Sequence, residues 1–168
     1  MKPIRYILIL ALALTIAGCS KYKPYHGPEI TQVVVNKGDR RMYLLHNEKV
    51  LKAYDIGLGF APVGDKKIEG DGRTPEGNYV IDRRNYNSAF FLSIGISYPN
   101  EQDIAEALAL GKSPGGDIFI HGRPNGVSRM NFRDTGPDWT AGCIAVTNRE
   151  MREIYGMVRN GTPIQINP

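Results

Sequence analysis

What most limits the fold of this chain is how residues 30–56 are punctuated. Thr31-Gln32-Val33-Val34-Val35, Arg41-Met42-Tyr43-Leu44-Leu45 and Val50-Leu51-Lys52-Ala53-Tyr54-Asp55-Ile56 are short runs rich in β-formers, parted by Asn36-Lys37-Gly38-Asp39 and His46-Asn47-Glu48. Three runs at this spacing predict an antiparallel meander. Further short strands are predicted at Asn78-Tyr79-Val80-Ile81, at Phe90-Phe91-Leu92-Ser93-Ile94, at Asp117-Ile118-Phe119-Ile120 and at Cys143-Ile144-Ala145-Val146. Pro163-Ile164-Gln165-Ile166 reads as an edge strand, because proline cannot donate to a ladder. One helix is predicted from Glu101 to Leu110, capped by Asn100 and stopped by Gly111. A second follows the Thr147 and Glu150 capping box, with Met151, Ile154, Tyr155 and Val158 as its apolar face. The fold class is therefore mostly β with two helices.

Composition removes several functional classes. A chain of 168 residues, 42% hydrophobic and 23% charged, makes one globular domain. The formal charge of +4, from 21 basic and 17 acidic side chains, is scattered and argues against nucleic-acid binding. Two cysteines and three histidines cannot complete a four-ligand zinc site without carboxylates, and no metal or cofactor is expected. The stretch Gly59 to Lys66 lacks a phosphate loop's lysine and following hydroxyl. Asp65, Glu69 and Asp71 lack the spacing of a calcium loop, so a solvated turn is the expectation there.

The first residues describe an export signal. Lys2 and Arg5 precede an apolar run from Tyr6 to Ile16, which is shorter than a membrane span needs. Ile16-Ala17-Gly18-Cys19 resembles a bacterial lipobox, cleaved before a cysteine that then takes lipid. That resemblance divides the chain into a signal peptide (1–18), a lipidated tether (19–29) and a domain (30–168). The plainer alternative is a soluble periplasmic protein cut by an ordinary signal peptidase. Ser20-Lys21 places no aspartate after Cys19, which resembles the outer-membrane sorting default in Gram-negative lipoproteins.

Cys143 and His121 are the chain's one plausible nucleophile–base pair. With Cys19 acylated, Cys143 is an unpaired thiol in an oxidising compartment, either an inert core residue or one kept for reactivity. Gly142 before it admits close backbone approach. His121 ends an apolar strand and faces a polar loop running from Gly122 to Asp138, where catalytic side chains commonly project. A thiol of ordinary pKa needs such an imidazole to react near neutrality. His46 sits in a turn and His26 in the tether.

These residues resemble the L,D-transpeptidase catalytic domain family, the YkuD-like cysteine acyltransferases of bacterial peptidoglycan. The family's His-Gly, Ser/Thr-X-Gly-Cys and following Asn are matched by His121-Gly122, Thr140-Ala141-Gly142-Cys143 and Asn148. Thr74-Pro75-Glu76-Gly77-Asn78-Tyr79 matches a further element. Ser97-Tyr98-Pro99-Asn100 and Gly115-Gly116-Asp117-Ile118-Phe119-Ile120-His121-Gly122 are similar to the YafK-like branch. The likeness implies a sandwich or barrel-like β domain needing no cofactor. It implies Cys143 as nucleophile, His121 as base, the Gly122 carbonyl as orienter of the imidazole, and the Gly142 and Cys143 amides as oxyanion donors.

The implied substrate is a peptidoglycan stem peptide cut between a diamino acid and D-alanine, its acyl group then passing to an amine. Ala141 and Ala145 stand where many members carry histidine and arginine. Arg123, Arg129, Arg133 and Arg149 are candidates to replace the lost cation, and Trp139 and Thr140 to contact substrate. Two alternatives stay open. One is an L,D-hydrolase that cuts cross-links or frees a wall-attached lipoprotein; the other is a non-catalytic wall-binding lipoprotein.

Overall fold

The computed structural model describes residues 20–126 and 136–168. The readings at residues 1–18, Cys19, Arg129 and Arg133 lie outside the described residues. Among the described residues, no helix is long and apolar enough to cross a membrane. Strands β1 (Gln32–Asn36), β2 (Arg41–His46) and β3 (Lys49–Asp55) form the predicted meander. Their alternation is the cause: Val33, Val35, Met42 and Leu44 are fully buried on one face.

The C-terminal strand β8 (Pro163–Asn167) is no edge, which corrects the sequence reading. It lies between β1, to which it is parallel, and β4 (Gly77–Asn85), to which it is antiparallel. Proline is tolerated because Pro163 is the first residue of the strand, and pairing with β1 begins only at Ile164. Ile164 and Ile166 can then enter the core at 1% and 2% exposure.

Strand β4 carries the curl of the sheet. Its first residues pair with β8, and from Ile81 onward it pairs with β5 (Ser93–Ile96) across a register shift between Ile81 and Arg83. Strands β6 (Phe119–His121) and β7 (Ile144–Ala145) complete the order β3-β2-β1-β8-β4-β5-β6-β7. Single bridges Gly57–Ala145 and Gly59–Thr140 bring the segment after β3 back onto β7. The result is an eight-stranded sheet rolled into a half-barrel, mostly β as predicted. Two expected strands move. β5 starts at Ser93 because Phe91 is at φ +69, and β6 starts at Phe119 because Asp117 is at φ +56.

Both helices appear with their capping boxes, α1 (Glu101–Ala109) on Asn100 and Asp103, and α2 (Asn148–Met157) on Thr147 and Glu150. All four residues of the predicted apolar face of α2 are buried, and the helix packs on β5 and β6. The segment Lys21-Tyr22-Lys23 is laid against α2. Tyr22 meets Tyr155 at 4.9 Å between ring centroids, and Arg152 Nε donates to the Lys21 carbonyl at 2.7 Å. Gly156 makes room, since a Cβ there would lie 2.5 Å from the Lys23 carbonyl oxygen.

In the loop from 59 to 77, Glu69 is exposed as expected, whereas Asp71 is internally bonded. Asp71 accepts N–H bonds from Lys67, Ile68 and Arg73 and pairs with buried Lys66 at 3.0 Å. Burial works upward on its pKa, but these donors hold it below the usual carboxylate range. Lys37, 2% exposed, donates to the Gly64 and Thr74 carbonyls and to Glu76 Oε1 at 2.6, 2.8 and 2.7 Å. Lys37→Ala strands these acceptors. It is expected to cost about 3–5 kcal/mol, read as a lower urea midpoint with unchanged slope.

Candidate active site

Parallel pairing of β6 and β7 sets His121 opposite Ala145 and Ile120 opposite Ile144, and Cys143 stands just before β7. Both candidate residues therefore reach the same end of the sheet. They line one cavity of about 510 Å³, with Phe90, Phe119, Trp139 and Thr140 among its walls.

The imidazole is held on three sides. Its Nδ1 lies 2.7 Å from the Gly122 carbonyl oxygen. A carbonyl only accepts, so Nδ1 carries the proton and Nε2 keeps the lone pair of the neutral ring. Phe90 and Trp139 pack on the ring at 4.6 and 5.5 Å between centroids, leaving His121 4% exposed. Burial pushes its pKa below the ordinary histidine value, against the smaller upward pull of the Gly122 bond.

The Gly122 carbonyl is itself fixed. Asn148 Oδ1 accepts the Arg123 N–H at 2.7 Å and lies where a Cβ on Gly122 would come within 2.6 Å of it. Glycine at 122 and asparagine at 148 thus form one fitted unit that holds the turn after His121.

Cys143 is presented by a stiff loop. Thr140, 4% exposed, donates its hydroxyl to the Cys143 carbonyl at 2.6 Å and accepts the Gly142 N–H at 3.1 Å. Gly142 is at φ +134, and a Cβ there would come 2.7 Å from the Arg73 carbonyl oxygen. Thr74, fully buried, takes the Gly59 N–H on its hydroxyl at 3.1 Å, and Gly59 bridges Thr140. Asp138 accepts from Arg40 and from the Leu58 N–H at 3.0 Å, fixing the chain just before Trp139. The thiol accepts the Phe119 N–H at 3.4 Å and faces the Asp117 carbonyl at 3.5 Å. Burial is the main reason its pKa is raised, outweighing the Phe119 N–H.

Two expectations shift with this geometry. The Gly142 N–H already donates to Thr140, which leaves the Cys143 N–H as the more available oxyanion donor. The Thr140 hydroxyl, expected to meet substrate, is committed on both sides to the loop, so Thr140 is a positioning residue. Thr140→Val is expected to lower kcat by about 10- to 100-fold by loosening the loop, and Thr140→Ser to restore most of it. Steady-state kinetics of the two variants checks this.

Trp139 lines both the cavity that holds Cys143 and His121 and a neighbouring one of about 260 Å³, where Arg123 also lies. Arg149 is exposed on α2 and is not among the residues lining the cavity of Cys143 and His121. Sequence reasoning missed Phe90, Phe119 and Asp117 as cavity residues. All three were assigned to predicted strands, and no residue pattern in a single chain marks which strand residues will face a cavity.

A half-barrel sheet whose adjoining strands bring a thiol and a backbone-oriented imidazole to one cavity defines the class of L,D-transpeptidase-type domains. The model of the L,D-transpeptidase catalytic domain family matches residues 30–166, and the chain belongs to that family. No curated protein sequence matches it.

Among solved structures it is similar to Pgp2 of Campylobacter jejuni, a helical cell shape determining protein. The identity is 29% over 93% of this chain and 54% of that one, with a TM-score of 0.60. Bd1075 of Bdellovibrio bacteriovorus shares the fold at 22% identity and a TM-score of 0.55, over 88% of this chain and 51% of the other. An L,D-transpeptidase from Mycobacterium smegmatis shares it at 12% identity and a TM-score of 0.52, over 83% and 59%. The chain spans about half the length of Pgp2 and of Bd1075.

Proposed function

We propose that the protein is a peptidoglycan-modifying cysteine acyltransferase, anchored in the periplasm through lipid on Cys19 at the outer membrane. The observation that carries the chemistry is one cavity holding the Cys143 thiol and a His121 imidazole whose Nδ1 is tied to the Gly122 carbonyl. The anchor rests on Ile16-Ala17-Gly18-Cys19.

Both groups are neutral near pH 7, the thiol raised by burial and the imidazole lowered by it. The proton therefore moves as the sulfur attacks. Sγ forms a bond to the carbonyl carbon of the diamino acid, while Nε2 takes the thiol proton. The Cys143 N–H meets the developing oxyanion. Collapse breaks the C–N bond to D-alanine, and the imidazolium returns its proton to the departing amine. A thioester on Cys143 remains. An incoming amine attacks it, gives a proton to His121 and restores the thiol.

The test incubates the full-length protein with purified sacculi and reads digested muropeptides by mass spectrometry. New 3–3 cross-links or exchanged terminal residues establish transfer. Loss of cross-links or of attached protein without new bonds makes water the acceptor. An unaltered muropeptide profile refutes the enzyme and leaves a wall-binding protein.

A further inference from the structure

We propose that Lys21 is a positioning residue of the Cys143 and His121 site: it ties the arm Lys21-Tyr22-Lys23 to the cavity wall that seats Phe90 on the imidazole. This rests on the acyl-transfer reading of the cavity and adds a residue that reaches the chemistry only through others.

The wall is the segment between β4 and β5, from which Ser88, Ala89 and Phe90 line the cavity. On one side it is bonded to the turn after His121. The Phe90 carbonyl accepts the Gly122 N–H at 3.1 Å, and Asn125 accepts the Phe91 N–H at 3.1 Å and donates to the Ser88 carbonyl at 2.9 Å. Wall and turn are therefore one bonded unit.

Lys21 holds the other side. Its Nζ donates to the Tyr86 carbonyl at 3.0 Å and to the Phe91 carbonyl at 3.4 Å, and lies 4.9 Å from the Tyr86 ring centroid. One ammonium thus joins the two ends of the segment. The Lys21 N–H also donates to the Tyr86 hydroxyl at 3.1 Å.

The arm is itself fixed, so the lysine is held from a rigid base. Besides the Arg152 bond to the Lys21 carbonyl, Tyr22 lies edge-on to Tyr86 at 6.5 Å between centroids. Arg84 stands 3.9 Å from the Tyr155 centroid and 6.0 Å from that of Tyr22. Its guanidinium donates to the Tyr155 and Val158 carbonyls at the C-terminal end of α2, where a cation is favoured.

A solvated tether keeps the conformational entropy that a docked one gives up, and a long lysine side chain gives up the most. The acceptors that Lys21 reaches lie in irregular backbone beside the cavity, not in the ladder of the sheet. Phe91 sits there at φ +69, a conformation that side chains disfavour and that the segment keeps only when fixed from both sides.

The consequence falls on His121. Phe90 is the part of its surroundings that this wall carries, and burial is what lowers its pKa. Without the ammonium the two carbonyls turn to water, the wall loosens and water reaches the ring, which then takes its proton at higher pH. Among the described residues, the other titratable groups lining the cavity are the Cys143 thiol and Asp117. Arg152, from α2, stands 5.4 Å from the Phe91 ring centroid.

The experiment compares full-length parent protein in detergent with three variants. Lys21→Met keeps the stem and removes the donors, Lys21→Arg keeps donors and charge, and Tyr86→Phe removes one bond to the arm and keeps every charge. It measures kcat/KM against pH on a tetrapeptide donor, the His121 titration by NMR in the Cys143→Ala background, and Tm. Lys21→Met is expected to lower kcat/KM about tenfold at pH 6. Its acid limb and its His121 titration should both move up toward the ordinary 6.5, and Lys21→Arg should restore most of the parent's behaviour. Losing a nearby positive charge also moves the titration up, so Tyr86→Phe tells the causes apart: a smaller upward move there marks hydration. If Lys21→Met does not fold, Tyr86→Phe carries the test.

A limb and a titration that stay at the parent's positions, whatever happens to Tm, overturn this inference while turnover upholds the acyl-transfer reading. A titration that moves in Tyr86→Phe, in a protein whose parent shows no turnover, does the reverse.

Discussion

Cys143→Ala is expected to abolish every change the protein makes to sacculi, a loss on the order of 10⁶ in kcat, because covalent catalysis has no substitute once its nucleophile is gone. The folded domain should survive. Cys143 is one small side chain outside the hydrophobic cluster, and its loop is held by Thr140, by the Gly142 turn against Arg73 and by the Gly59 bridge, none of which uses the sulfur. The sulfur's own contacts are to the Phe119 amide and the Asp117 carbonyl, both weak hydrogen bonds. The variant's thermal unfolding and its muropeptide products, measured on the same preparation, check the claim. Activity retained in a folded variant would remove Cys143 from the chemistry, whereas a lost fold would show that the sulfur is structural. Iodoacetamide gives an independent reading. A half-buried thiol whose pKa is raised by burial reacts slowly at neutral pH and faster as the solution becomes alkaline.

The parts of this molecule legible in the sequence were those set by local physics. Alternation in residues 32–55 dictates the meander, and Thr147 with Glu150 dictates the start of α2, because each depends on residues a few positions apart. The pair Cys143 and His121 was legible for a different reason: the chain offers one thiol besides Cys19 and one histidine at the end of an apolar strand. What escaped notice depends on partners far along the chain. Pro163 looks like an edge marker until β1 is seen to pair only from Ile164. Phe90 looks like a strand residue until its ring is found on His121 from an irregular segment. The row Arg83, Gly95, Phe119 exists only once three strands have taken their registers, and no periodicity within any of them announces it. Lys37 carries no local signal either. Its burial is set by Thr74 and Glu76, which the resemblance had marked without a role and which the structure ties to the loop supporting Cys143.

The second large effect falls on His121. His121→Ala is expected to lower kcat by about 10²–10⁴-fold, the range for loss of a positioned general base. The environment of the imidazole fixes the sign of the pH dependence. Because burial lowers its pKa, His121 stays neutral, with Nε2 free to accept, until the pH drops below the ordinary value of 6.5. The acid limb of kcat/KM should therefore fall below pH 6.5 and vanish in the alanine variant. The same shift bears on folding: an unfolded chain protonates this histidine more readily than the native one does, so stability declines as pH falls through the unfolded-state value. His121→Gln separates the two roles. Its side-chain amide can still donate to the Gly122 carbonyl and fill the space under Phe90, but it cannot take a proton. Glutamine should thus preserve the Tm at neutral pH and flatten its acid decline while leaving kcat as low as alanine does. If glutamine restored turnover, the imidazole would be a prop for the loop, and the base would have to be sought elsewhere in the cavity.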